Sequence, residues 1–74
     1  MKKYKYIMIE QTKIVTADKP HYQILNKKTG YWLGEIFYDA QWKQYVSRRD
    51  NLCIFSVSCD RDIIDFIEHH AGKE

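Results

Sequence analysis

The sequence predicts an α+β fold, an antiparallel meander of four to five strands with one C-terminal helix packed on one face. Up to residue 57, short segments rich in β-branched and aromatic residues are separated by turn signals. From residue 59 the apolar spacing becomes helical. A chain of 74 residues is one domain at most. Residues 1–74 are therefore read as a single small domain, with strands within about 3–57 and a helix over about 59–70.

The first strand is read from Lys3 to Thr12, running on toward Ile14 and Val15. Tyr4, Tyr6 and Met8 share one face, and Ile7 and Ile9 the other. Ala17-Asp18-Lys19-Pro20 reads as a break, because proline removes a donor and extends the residue before it. His21 to Asn26 is the next strand. Asn26-Lys27-Lys28-Thr29-Gly30 is a hairpin loop, with Gly30 supplying a positive φ. Tyr31 to Tyr38 follows, and Gly34 signals a bulge that would bring Leu33 and Ile36 to one face. Asp39-Ala40-Gln41 turns the chain. Trp42 to Ser47 reads as a strand, with Trp42 beneath the helix. Arg48-Arg49-Asp50-Asn51 is a polar turn, and Leu52 to Val57 a last strand.

Ser58 or Asp60 is the expected helix N-cap. Cys59, Ile63, Phe66, Ile67 and His70 form the apolar stripe, flanked by Ile64. Asp62, Asp65 and Glu68 form an acidic, outward face, and Asp60 and Asp62 suit the first turn. Gly72 ends the helix. The stretch Tyr31–Val46 holds both tryptophans and four further aromatics. It is the core-making hairpin.

A domain this small buries only ~60% of the surface its unfolded chain exposes. Its 15% aromatic content compensates, since each buried ring removes ~150–250 Å² from water. Net charge is +2, yet residues 1–49 carry ten Lys/Arg against four acids and residues 50–74 two against six. The sheet is basic and the helix acidic, an asymmetry that can mark a binding face. The basic start at Lys2-Lys3 lacks the ~7–15-residue apolar run of an export signal. No stretch reaches the ~20 apolar residues of a membrane span. The expected location is the cytoplasm of a bacterial or phage-infected cell. Cys53 and Cys59 are then reduced thiols. Cys59 could act as a nucleophile only with a base brought close from His21, His69 or His70. The cysteines and histidines have no zinc-ligand spacing. No catalytic residue, metal or cofactor is expected, and no small-molecule substrate.

An ordered set of short patterns runs along residues 22–67: Tyr22-x-Ile24-x-Asn26-Lys27-Lys28-x-Gly30, Leu33-Gly34-x-Ile36, Trp42-x-x-Tyr45-Val46 and Phe55-Ser56-x-x-Cys59-x-x-Asp62-Ile63-x-Asp65-Phe66-Ile67. In this order the chain resembles small phage- and prophage-encoded proteins of unknown function. The resemblance implies a phage or bacterial origin and no particular activity. Ser47-Arg48-Arg49 departs from the more apolar continuation of that pattern, and the first 20 residues lie outside it. A sheet followed by a packed helix is also similar to DNA-binding modules of integrase N-terminal and plant AP2 type, an analogy of fold alone.

Two binding surfaces follow. Tyr4, Tyr6, Trp32 and Tyr38 would make an apolar patch on the helix-free face, suited to a homodimer or a host protein. This is the leading expectation: a non-enzymatic protein-interaction module. The alternative is sheet-mediated nucleic-acid binding. Lys27, Lys28, Lys43, Arg48 and Arg49 would neutralise phosphates and Tyr45 would stack on a base.

Overall fold

A computed structural model describes residues 2–16 and 18–72. Among them lie five strands and one helix, with β1 at Lys2–Lys3, β2 at Ile7–Thr16, β3 at Lys19–Asn26, β4 at Trp32–Asp39, β5 at Gln44–Arg49 and α1 at Val57–His69. The strands form one sheet in chain order, every neighbour antiparallel. The α+β meander with a single C-terminal helix is the architecture the sequence predicts.

The core lies between one sheet face and α1. Ile7, Ile9, Tyr22, Ile24 and Ile36 come from the sheet, and Cys59, Ile63, Phe66 and Ala71 from the helix and its exit. Cross-strand pairing sets this face, since Ile9 stands opposite Ile24 and Tyr22 opposite Ile36. Tyr22 meets Phe66 edge-on at 4.8 Å, and its hydroxyl accepts a hydrogen bond from Gly72 N at 2.9 Å. Both aromatic bulk and a helix-ending contact thus come from one tyrosine. Cys59, Ile63 and Phe66 are the buried helical positions and Ile67 packs beside them, so the apolar stripe holds.

Gly34 is fixed by a close approach. A Cβ there would lie 2.5 Å from Arg48 O and 2.9 Å from Arg49 Cα. The β3–β4 pairing slips beside it. Ile24 faces Gly34 and Leu25 faces Trp32, leaving Leu33 over. Leu33 and Ile36 both reach the core, as a bulge would arrange.

Five expected details are corrected. The first strand is broken, because Tyr4 N donates to Ile7 O at 2.9 Å and β1 folds back on β2. Lys19 and Pro20 belong to β3, with Pro20 opposite Val15, and the turn sits at Asp18 with φ 62. Ala17, also placed in that break, lies outside the described residues. Trp42 is in a turn and 70% exposed rather than beneath the helix. Asp39 Oδ1 accepts from Gln41 N and Trp42 N, which delays β5 to Gln44. Leu52 to Ser56 is irregular rather than a strand. Cys53 N donates to Asp50 O and Leu52 N to Asp50 Oδ1, so the chain curls away from the sheet. The N-cap is Ser56, whose Oγ accepts from Cys59 N at 3.2 Å.

Candidate protein-interaction surface

The meander places the six basic and aromatic residues apart. Lys27 and Lys28 lie in the β3–β4 turn and Lys43 in the β4–β5 turn, at opposite ends of the eight-residue β4. At ~3.3 Å per residue those ends are roughly 25 Å apart. Arg48 lies on the helix-free face in an ion pair with Glu35. Arg49 points to the helix side, 2.6 Å from Asp60 Oδ1 and with its guanidinium 4.5 Å from the Phe55 ring centre. Tyr45 packs against the core, and its hydroxyl donates to Pro20 O at 3.2 Å. Burial, with Tyr22 nearby, raises its phenol above the usual tyrosine pKa. The structure brings only Lys27 and Lys28 together.

The four tyrosine and tryptophan candidates are also dispersed. Tyr4 packs on the core and donates to Asp65 Oδ2 at 2.9 Å. Asp65 is therefore engaged rather than simply outward. Tyr38 is half-buried against Tyr45, with Lys19 Nζ 5.0 Å from its ring centre. Trp32 is on the helix-free face, in a row with Leu25 and Met8. Next to that row, Glu10, Gln23, Glu35 and Arg48 run across the sheet. Beyond them His21 stacks on Phe37, which faces Val46. A charged row thus divides the apolar groups of this face. Tyr6 is exposed at the sheet end, where Lys5, Lys27, Lys28 and Asn26 join it around an open depression of about 490 Å³.

Cys59 is buried under the helix and its backbone N–H is used in the cap. His69 and His70 lie ten or more residues along α1, a rise of ~15 Å. His21 is on the other face of the sheet, so none of the three histidines stands by the thiol. His69 Nε2 is 3.9 Å from Asp65 Oδ1, and His70 lies against Phe66. Asp62 has a raised carboxyl pKa, first from burial and then from neighbouring Asp65. Among the described residues, no group of three or more His, Cys, Asp or Glu could hold a metal ion. No helix among them is long and apolar enough to cross a membrane.

Other large apolar side chains are exposed too, among them Ile14 and Val15 on β2, and four more gather near the helix start. Leu52 is 91% exposed, Ile54 97%, Val57 66% and Ile64 54%. Val57 and Ile64 are seven apart on α1 and therefore share a helix face. Leu52 and Ile54 sit on the connection that leads into it. Beside this face, Ser47 and Arg49 of β5 and Asp60, Ile63, Ile64 and Ile67 of α1 line an open groove of about 330 Å³. The strand bordering it, β5, is at the edge of the sheet. Alternation through Leu52–Val57 concealed this surface at the sequence level. The signal against a strand was Ser56, three residues before Cys59 on the apolar stripe.

Comparison with known proteins returns no match to a family model, a curated protein or a solved structure.

Proposed function

We propose that this protein is a small non-enzymatic module that binds protein, in a phage or prophage setting. The observation that carries the reading is the exposure of Leu52 and Ile54 on the connection from β5 to α1 and of Val57 and Ile64 on one face of α1. Fully burying each such side chain is worth ~1.5–3 kcal/mol. A domain that buries only ~60% of its chain surface has little reason to leave four of them in water, unless a partner covers them. The expectation of a binding patch is retained from the sequence, and its location moves from the tyrosines to the helix side.

The test is site-specific photo-crosslinking of the full chain in bacterial cells. A benzophenone amino acid at Leu52, Ile54 or Ile64 gives discrete protein adducts, and one at exposed Lys13 does not. Absence of adducts at all three positions overturns the reading.

One observation supports nucleic-acid binding as a second reading. Lys5, Lys27 and Lys28 surround the exposed Tyr6 ring, a combination that suits phosphate and a stacked base. The support is confined to one end of the sheet, since Arg48 and Arg49 are already paired with carboxylates. An electrophoretic shift with mixed DNA and RNA at low salt, lost at moderate salt, would favour it. No shift at low salt rules it out.

A further inference from the structure

We infer that the partner on the β5–α1 side is a second copy of this chain, joined edge to edge through β5 in antiparallel register about Ser47. The inference rests on the protein-binding reading and names the partner. Its first ground is the open edge. Asp50 N donates to Leu33 O at 2.9 Å, in register with the pairs from Gly34–Arg49 to Asp39–Gln44. Antiparallel strands alternate, so Gln44, Val46 and Arg48 turn their backbone groups to β4. Tyr45, Ser47 and Arg49 turn theirs outward. Those three match themselves about a two-fold axis: Ser47 meets Ser47, and Tyr45 meets Arg49 of the second copy.

The second ground is the symmetry of the exposed apolar groups. Trp42 lies five residues before Ser47 and Leu52 five after it, and both are largely in water. Self-pairing about Ser47 carries the Leu52 end of one β5 to the Trp42 end of the other. A separate extended peptide would give no reason for this balance. An isologous pairing about Ser47 uses both ends, because each copy presents the same patch to the other.

Charge selects the same register. With Ser47 on the axis, Arg48 stands opposite Val46 and Arg49 opposite Tyr45. A shift of one pair would set Arg48 against Arg48, and like charges directly opposite are destabilising. Ser47 and Arg49 of the free edge line the groove with Ile64 of α1, so pairing at Ser47 brings the Ile64 face of each helix toward the other copy. A paired six-residue strand with Trp42, Leu52, Val57 and Ile64 covered is on the scale of the ~800 Å² per partner of a stable complex. A net charge of +2 per chain gives little repulsion between copies.

The test is mass by light scattering and sedimentation on the full chain over a concentration series. The expected species is twice 9.0 kDa. Ile64→Glu and Leu52→Glu each weaken it by tenfold or more while circular dichroism is unchanged. Register is read by Ser47→Cys in a Cys53→Ser background. The Cα separation of a directly hydrogen-bonded pair is ~5.5 Å, within disulfide range, so diamide links the copies. Lys13→Cys, exposed on β2 away from the β5 edge, does not link. A single-chain mass at every concentration overturns the inference, as does a dimer that neither variant weakens and Ser47→Cys does not link. A monomer that still gives adducts of another protein at Ile54 overturns self-pairing and leaves the protein-binding reading intact. A monomer with no adducts overturns both.

Discussion

The two turns that bracket β4 make the same hydrogen bonds from different residues. In the first, Asn26 Oδ1 accepts from Lys28 N at 2.9 Å and Thr29 N at 3.1 Å, and Asn26 O from Gly30 N at 2.7 Å. In the second, Asp39 Oδ1 accepts from Gln41 N at 2.8 Å and Trp42 N at 3.2 Å, and Asp39 O from Lys43 N at 2.7 Å. Each ends on a residue of positive φ, 80° at Gly30 and 55° at Lys43. The difference is the side chain at that last position. Glycine adopts the conformation freely, whereas lysine is held there against a preference of ~1–2 kcal/mol. The strained turn is the one that presents Trp42 to solvent.

The largest effect comes from breaking the frame both turns share. Gly34→Ala drives a Cβ into the backbone of Arg48 and Arg49, which cannot move as a side chain tip could. β4 and β5 must part, at a cost of ~1–3 kcal/mol. Thermal unfolding followed by circular dichroism reads this as a fall in Tm of ~4–8 °C per kcal/mol. An unchanged Tm would mean that β5 does not approach β4 this closely.

Gly30→Ala separates conformational strain from packing. Nothing lies within 4 Å of a Cβ at Gly30, so only its φ of 80° resists the change. The strain of ~1–2 kcal/mol, less the ~0.4–1 kcal/mol gained by stiffening the unfolded chain, leaves a loss of about 1 kcal/mol. Chemical denaturation measures it. A neutral result would remove the contrast with Lys43.

These turns also show what the sequence could disclose. Asn26 and Gly30 announce the first turn, because both residue types favour it for stated reasons. Lys43 announces nothing, since lysine at positive φ is placed by the hydrogen bonds of Asp39 rather than by its own preference. From the sequence, Trp42 is consequently expected as a buried strand residue. The helix stripe was legible because burial of one face repeats at the helix's own 3.6-residue period. Its N-cap was not, since Ser56, Ser58 and Asp60 all carry suitable oxygens and the need to aim Cys59 inward decides among them. The dispersal of the basic residues was legible in principle. Consecutive hairpin turns of a meander fall at opposite ends of the sheet, which separates Lys43 from Lys27 and Lys28. Tyr4 was not, because the turn from Tyr4 to Ile7 that brings it under Asp65 has no proline or glycine to mark it.

Equivalence of the two hydrogen-bonding side chains is the next test. Asn26→Ala and Asp39→Ala each remove the one oxygen that accepts from two exposed backbone N–H groups, which water then serves. Each should lose about 1 kcal/mol, and the two losses should agree within about 0.5 kcal/mol. A much larger loss at Asp39 would show that the second turn depends on its carboxylate more heavily. Asp39→Asn distinguishes charge from hydrogen bonding, since the amide oxygen keeps both bonds.

The smallest effect has the opposite sign. Lys43→Gly relieves the positive-φ strain at the second turn and makes it resemble the first. The ~1–2 kcal/mol relieved is offset by the ~0.4–1 kcal/mol of freedom that glycine adds to the unfolded chain. The net is a gain of roughly 0.5–1 kcal/mol, read as a raised denaturation midpoint. Lys43 lies beside Trp42, so the variant also asks whether its charge matters to the β5 edge. Because Asp39 still fixes Trp42 N, the indole stays exposed, and the dimer dissociation constant should stay within about threefold of the original, ~0.6 kcal/mol. Stabilisation with a loosened dimer would assign the lysine, and not only the tryptophan beside it, to the contact between copies.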